Sequence, residues 1–392
     1  MTNCKAFYNL DDNFFADRNC IYTASEIARQ SKLWNDLGKI LQSKKQDISS
    51  FMQRIGDPRQ IRIIMTGAGS SAFVGEALTG FIAKSTGIKC EAIHSTDIVS
   101  APDTVLFAGI PTLLISFARS GNSPESMGAV QYARKIVNNL FEVAIVCDGS
   151  SKLYDITAES EDNLVLVMPE GSNDKGFAMT SSLTCMLLAG FALLNHEKID
   201  EIIQDISLLS ESVCAQSLNL SNAAQELAKK AFDRVVYLGS GAFKGLAHEA
   251  SLKMLELTSG GVNANYDSAA GFRHGPKSVI KDNTLTVHFI SNDSFTARYD
   301  IDLLKEVFTE KINNYIAAIC GDTAEDIKAD DVIEVTTCKY GIASDVAIGI
   351  NMLVFCQMLA MFKSIELSIP TDNPSPKGLV NRVVKGVTVY PI

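Results

Sequence analysis

The chain has 392 residues, 46% of them hydrophobic and 20% charged, and a formal net charge of −10. That length allows two domains of ordinary size, and the composition reads as soluble and globular. The acidic balance and the lack of a Lys/Arg-rich run exclude a nucleic-acid binder, although a local pocket could still take a phosphorylated substrate.

Met1–Lys5 has no apolar core of the kind a signal peptide needs. None of the nine cysteines forms a C-x-x-C pair, and several sit in apolar runs such as Ala144–Cys147. This usage predicts reduced thiols in a cytoplasmic protein. The first pieces of the chain read as helical, with Thr23 and Ser25 as candidate N-caps, Glu26 soon after and Trp34 on a later turn. Arg54–Arg59, with Gly56 and Pro58, reads as a loop.

Ile61–Met65 is an apolar strand that runs into Gly67-Ala68-Gly69-Ser70-Ser71. Glycines allow a sharp turn, and amides at a helix start face an anion. A bare G-x-G also occurs in plain tight turns. No Walker lysine follows, and Gly75 comes too late for a dinucleotide fingerprint. The next strand, Thr112–Phe117, leads into a richer turn, Arg119-Ser120-Gly121-Asn122-Ser123-Pro124. Its hydroxyls, amide and cation suit phosphate, while Ser123 followed by Pro124 equally reads as a helix cap. A third strand is predicted at Val143–Cys147, and a loop at Gly171–Lys175 carries Ser172 and Asn173.

Two uncharged runs, Ala178–Leu194 and Val346–Phe362, contain polar residues and fall short of a comfortable span of about 20 residues. They are predicted to be buried helices. A helical connection covers residues near 198–230.

The second half repeats the first. Val235–Ala242 has the strand-then-turn form of Ile61–Ser71, and Gly239 pairs with Gly67 at an offset of 239 − 67 = 172. Thr284–Phe289 pairs with Thr112–Phe117 at 284 − 112 = 172, and Ile316–Cys320 follows Val143–Cys147 within one residue. Three matches in one order imply a duplicated domain. The turn Ser291–Ser294 contains Asp293, and an acid there disfavours phosphate, so the first half is expected to hold it. Strands alternating with helical patterns predict α/β units on parallel sheets covered on both faces.

The second half also carries Glu249–Glu256, a helical stretch that puts Lys253 and Glu256 three residues apart on one face. Gly271–Pro276 then delivers His274 on a loop. Taken one at a time, a helical glutamate is most often a solvated charge and a lone histidine most often structural. Pro370–Pro376 cannot be regular helix or central strand, and it leads into the final segment Gly378–Ile392.

With these motifs in view, the chain resembles the SIS (sugar isomerase) family of phosphosugar-binding proteins, and within it the AgaS type of galactosamine-6-phosphate deaminase/isomerase. Ser116–Ser126, Gly271–Pro276 and Asn381–Val387 carry the resemblance, which covers roughly residues 20 to 392. It implies two tandem SIS domains, each a doubly wound parallel five-stranded sheet flanked by helices. The expected layout is an N-terminal helical segment (1–48), a phosphate-binding domain (49–200), a domain with the catalytic glutamate and histidine loop (201–369) and a tail closing over the site (370–392).

The resemblance further implies roles for single residues. Ser71, Ser120 and Ser123 hold the sugar phosphate, with Ser70, Arg119 and Asn122 beside them. Asn173, next to Ser172, contacts the sugar. Glu256 shuttles a proton between C1 and C2, with Lys253 as its neighbour. His274, donated by the other subunit of a dimer, opens the ring, and Lys385 comes from the tail. Ala118 and Arg119 depart from the related glucosamine-6-phosphate synthase, which has serine and glutamine there. An arginine could make the stronger, charge-assisted contact.

The chemistry expected is release of ammonia from an amino-sugar 6-phosphate. A histidine is suited to two-way proton transfer, and a carboxylate can act as the base if burial raises its pKa. No metal or redox cofactor and no nucleic-acid or membrane partner is expected, whereas a homodimer or higher homo-oligomer with shared active sites is. About 50 residues precede the first strand, with no glutaminase domain to supply ammonia, so deamination is the expected direction. A glucosamine-6-phosphate deaminase, a plain ketose/aldose isomerase and a non-catalytic phosphosugar sensor remain as alternatives.

Overall fold

The computed structural model describes residues 4–321, 327–336, 338–384 and 386–392. It contains two five-stranded, all-parallel sheets. The first is built from β1 (Arg62–Thr66), β2 (Cys90–Ala92), β3 (Thr112–Ala118), β4 (Leu140–Val146) and β5 (Leu164–Val167), in the order β2-β1-β3-β4-β5. The second is built from β6 (Arg234–Gly239), β7 (Asn263–Asp267), β8 (Thr284–Phe289), β9 (Tyr315–Cys320) and β10 (Asp331–Glu334), in the order β10-β9-β8-β6-β7.

Read from its other edge, the second order is the first order again. The repeat extends to register. Arg62 pairs with Thr112 in the first sheet and Arg234 with Thr284 in the second. Both differences, 234 − 62 and 284 − 112, equal 172. Parallel strands need a crossover between them, and covering both faces makes their sequences nearly continuous apolar runs. β3 is buried along its whole length, and so is β8.

The chain divides into two compact units that are discontinuous in sequence. Lys32–Asp174, Ser181–Gln204 and Val380–Ile392 make the first-sheet unit. Met1–Ser31, Lys175–Thr180 and Asp205–Leu379 make the second-sheet unit.

In the first-sheet unit, Ile64, Leu114, Ala144 and Val146 of the sheet pack with Ala129, Ala133 and Leu153. The apolar run ending at Leu194 is the helix Ser181–Leu194, buried at every residue. Gly190 on this helix permits close packing, since a Cβ there would lie 2.6 Å from Leu78 and 3.0 Å from Phe117. Trp34 is fully buried and donates its indole N–H to Thr184 Oγ1 at 3.0 Å.

In the second-sheet unit, Val236, Leu238, Ile316 and Ala318 pack with Leu303 and Leu304. The other apolar run forms the helix Ser344–Glu366. It is long and apolar enough to cross a membrane, yet 94% of its most apolar window is buried inside the protein. Two of its buried amides each find a partner within the unit: Gln357 Oε1 accepts from Gln30 at 2.8 Å, and Asn351 Nδ2 donates to the Tyr340 hydroxyl at 3.1 Å.

Two local expectations are corrected. Thr23 and Ser25 do not cap a helix, because both lie inside the helix Ile21–Ala28. The cap comes from far along the chain. Asp372 accepts the amides of Tyr22 and Thr23 at 2.9 and 2.8 Å, and the Thr23 hydroxyl at 2.8 Å. A carboxylate suits the positive end of a helix better than a local hydroxyl does. The helix Gln30–Ile55 also runs through Arg54 into the segment predicted as loop.

Candidate active site

The first turn of the first-sheet unit connects β1 to the helix Ser70–Thr86. Gly69, just before the helix, has φ 56°, a left-handed value that favours glycine. At Gly67 a Cβ would lie 2.6 Å from the Ser71 backbone. The backbone is thus drawn tightly under the helix start, where Ser70 and Ser71 are buried.

The second turn connects β3 to the helix Pro124–Ile136. Ser123 is its N-cap: its hydroxyl accepts the Ser126 amide at 3.3 Å and lies 2.7 Å from the Ser126 hydroxyl. The cap reading therefore holds, and Pro124 occupies the first helical turn as expected. Asn122 is engaged locally. Its Nδ2 donates to Ser120 O at 2.9 Å and its Oδ1 accepts the Lys152 amide at 3.1 Å. Arg119 is buried and donates to the backbone carbonyl of Arg382 at 2.6 Å.

The Gly171–Lys175 loop contributes differently at each position. Ser172 is fully buried and donates its backbone amide to Pro169 O at 2.9 Å, and burial pushes the Cys147 thiol up to about 12. Asp174 is also fully buried. Its carboxylate accepts the Ser181 and Ser182 amides at 3.2 and 2.9 Å and the Ser182 hydroxyl at 2.6 Å, capping the buried helix that follows. Asn173, between them, is half-buried and accepts at Oδ1 from Arg382 Nη2 at 3.0 Å.

In the second-sheet unit, the helix Phe243–Leu257 presents three charges on one face. Lys253 Nζ lies 3.4 Å from Glu249 Oε1 and 2.5 Å from Glu256 Oε2. The spacings i, i+4 and i, i+3 bring them together. Lys253 and Glu249 are almost wholly buried, whereas a quarter of the Glu256 side chain is exposed. A lysine with its ammonium buried needs its carboxylates, since an unpaired buried charge is costly. Glu256 is thus held at the boundary, charge-paired on one side and open on the other. Sequence reasoning gave Glu249 no role. Its spacing from Lys253 was the available signal.

His274 follows the short helix Ala269–Phe272 and is exposed. Flanking ion pairs hold its loop. Arg273 and Lys277 both bind Glu306, the first at 2.7 Å, and Lys277 also binds Glu310 at 2.6 Å. Gly275, with φ 119°, makes the turn beyond it. No described hydrogen bond or ion pair joins the His274 ring to Lys253 or Glu256. Lys385 lies outside the described residues.

A SIS domain model matches residues 58–196. The D-galactosamine-6-phosphate deaminase AgaS of Shewanella sp. (strain ANA-3) is 39% identical over 94% of this chain and 92% of its own length. The chain belongs to the AgaS family. A solved chain from Clostridium novyi NT is 41% identical, with a TM-score of 0.92 over 97% of this chain and 98% of that one. The tagatose-6-phosphate ketose/aldose isomerase of Escherichia coli is 34% identical, with a TM-score of 0.86 over 94% and 96%. At this identity the doubly wound tandem SIS architecture is shared along nearly the whole chain.

Proposed function

We propose that this chain is an amino-sugar-phosphate deaminase/isomerase that converts D-galactosamine 6-phosphate and water to D-tagatose 6-phosphate and ammonia. The observation that carries the reading is the Glu249–Lys253–Glu256 cluster, a carboxylate held beside a buried ammonium, within the AgaS fold. AgaS relatives named as deaminases and a neighbour named as a ketose/aldose isomerase support the two halves of the reaction.

In this reading the amides and hydroxyls of the two first-sheet turns, with Ser70, Ser71, Ser120 and Ser123, hold the phosphate. Asn122 keeps the second turn in shape, and Ser172 fixes the loop that presents Asn173 to the sugar. His274 moves a proton between the ring oxygen and the C1 hydroxyl, which opens the ring. Glu256 takes the C2 proton, giving an enolamine, and returns a proton to C1. The resulting C2 imine adds water, and ammonia leaves as the ketone forms. Lys253 holds the Glu256 carboxylate in place. Lys385 keeps the role implied by the resemblance.

The exposure of His274 supports a homodimer in which it serves the other subunit's sugar. Nine free cysteines, seven of them buried, fit a reducing compartment, the cytoplasm. The test supplies galactosamine 6-phosphate and glucosamine 6-phosphate separately and measures ammonia and ketose phosphate. Ammonia and tagatose 6-phosphate in equal amounts from the first sugar are expected. Ketose/aldose interconversion without ammonia would reduce the reading to a plain isomerase. Mixing His274→Ala with Glu256→Gln chains is expected to regenerate activity, and no recovery in a proven mixed dimer would remove the shared site.

A further inference from the structure

Arg119 and Arg382 both lie in the first-sheet unit and connect three parts of it. Arg119 directly follows β3, ahead of the Ser120–Ser123 turn, and donates to the Arg382 carbonyl at 2.6 Å. Arg382 belongs to the C-terminal tail. Its Nε donates to Asp174 O at 2.9 Å, and its Nη2 donates to the same carbonyl and to Asn173 Oδ1 at 3.0 Å. A guanidinium is a rigid planar fork and fixes two acceptors at once. The carbonyl it grips is itself immobile, because the Asp174 side chain caps the helix Ser181–Leu194. An amide whose Oδ1 faces a cation has its NH2 turned the other way, as a donor.

The tail has a second anchor farther along. The Tyr132 hydroxyl donates to the Tyr390 carbonyl. Val389 lies against Gly128, where a Cβ would come within 2.8 Å of both Val389 and Val99. Tyr132 and Gly128 stand on the helix that Ser123 caps. The tail is therefore fixed at both ends to elements that leave the phosphate turn or its neighbouring loop.

We propose that Arg382 is a positioning residue acting through Asn173, and that Arg119 is the post that holds the tail in place for it. The proposal rests on the reading above in one respect, that Asn173 meets the sugar. Arg382 sets the Asn173 amide so that its NH2 is presented to a sugar oxygen. Arg119 then serves the tail, and phosphate affinity comes from the hydroxyls and amides of the turns.

The test uses the full chain and four variants: Arg382→Ala, Arg382→Met, Arg119→Gln and Asn173→Ala. Misplacement of a binding group predicts a fall in kcat of about 30- to 100-fold for Arg382→Ala and Arg119→Gln. The dissociation constant of inorganic phosphate, by titration calorimetry, is expected to stay within about twofold of wild type in both. Deuterium uptake at 380–384 and 386–390 is expected to rise in both. Arg382→Met keeps the aliphatic stem and is expected to lose as much as alanine, because the charge is what matters. Combined with Asn173→Ala, Arg382→Ala is expected to add less than about threefold, since its target is gone. The proposal is overturned if Arg119→Gln weakens phosphate about tenfold while the tail stays protected, which would make it a phosphate ligand. It is also overturned if Arg382→Met behaves as wild type, or if the Arg382 and Asn173 losses multiply in full. Phosphate affinity and deuterium uptake are measured without any sugar, so they separate failure of this proposal from a wrong substrate.

Discussion

Gly128 and Asp300 hold the same place in the two halves. Their helices start at Pro124 and Thr296, and both 296 − 124 and 300 − 128 equal the repeat offset of 172. Asp300 reaches back into the turns of its own half. Its carboxylate accepts from Ser240 Oγ at 2.5 Å and from the Ser291 amide at 3.1 Å. Burial pushes this carboxyl up to about 6, against the two hydrogen bonds that favour its charge. In the first half the same position is Gly128, which sends no carboxylate back to the turns. Under the proposed function the first-half turns cradle the sugar phosphate, and the second half fills the matching cradle from within with Asp300. Asp293, the acid the sequence reading relied on, has a different job. Its Oδ1 accepts the Phe295 and Thr296 amides at 3.1 and 3.0 Å and closes the start of the following helix.

This contrast can be tested at graded cost. The largest effect belongs to the chemistry. Glu256→Gln is expected to lower kcat/KM by about a thousandfold or more, the scale of a lost general base, while inorganic phosphate binds as before. Retained turnover would mean the second half does not supply the base.

Next comes Asp300. Its folded pKa of about 6 lies above the ordinary carboxyl value of 3.8 expected when the chain is unfolded. Between those values the folded state keeps a proton that the unfolded state has lost, so this group's contribution to stability falls as pH rises from about 4 to 6. A shift of about two units corresponds to about 3 kcal/mol. Urea unfolding of wild type and Asp300→Asn should therefore diverge by about that amount between pH 4 and pH 7, in the variant's favour at the higher pH. A constant difference would show that the carboxyl ionises normally and that the second cradle is not filled as described.

The smallest effect separates the two serine turns. Ser123→Ala is expected to cost about 1 kcal/mol of stability as a lost cap and to weaken inorganic phosphate about tenfold. Ser291→Ala should leave phosphate binding unchanged, because the Ser291 amide serves Asp300 and its hydroxyl accepts the Asp293 amide at 3.1 Å. Equal responses would erase the distinction between the halves.

Much of the architecture could be read from the residues. Buried parallel strands bounded by glycine turns leave little freedom, so one offset recovered the three central strands of each sheet and, as it proved, the register of β1 with β3 and of β6 with β8. The edge strands β2, β5, β7 and β10 were too short or too polar to stand out. Lys253 and Glu256 were recognisable from helical spacing. Their burial was not, because the same spacing describes an exposed ion pair, and Glu249 was passed over for that reason. The cap at Thr23 failed for a related reason. Its carboxylate lies 349 residues away, and no local pattern can announce a partner at that distance. Asp300 was equally hidden, since an acid inside an amphipathic helix usually faces water.

The interleaving of the two units has a consequence for how the protein is made. The first-sheet unit includes Val380–Ile392, and the second-sheet unit includes Met1–Ser31. A ribosome therefore releases Met1–Ser31 long before the rest of the second-sheet unit exists, and Val380–Ile392 only after all the rest of the first-sheet unit. Each unit waits for a late segment, the second-sheet unit for Asp205–Leu379 and the first-sheet unit for Val380–Ile392. Cutting the gene after Gln204 would give two products, each carrying a piece that the other needs to finish folding.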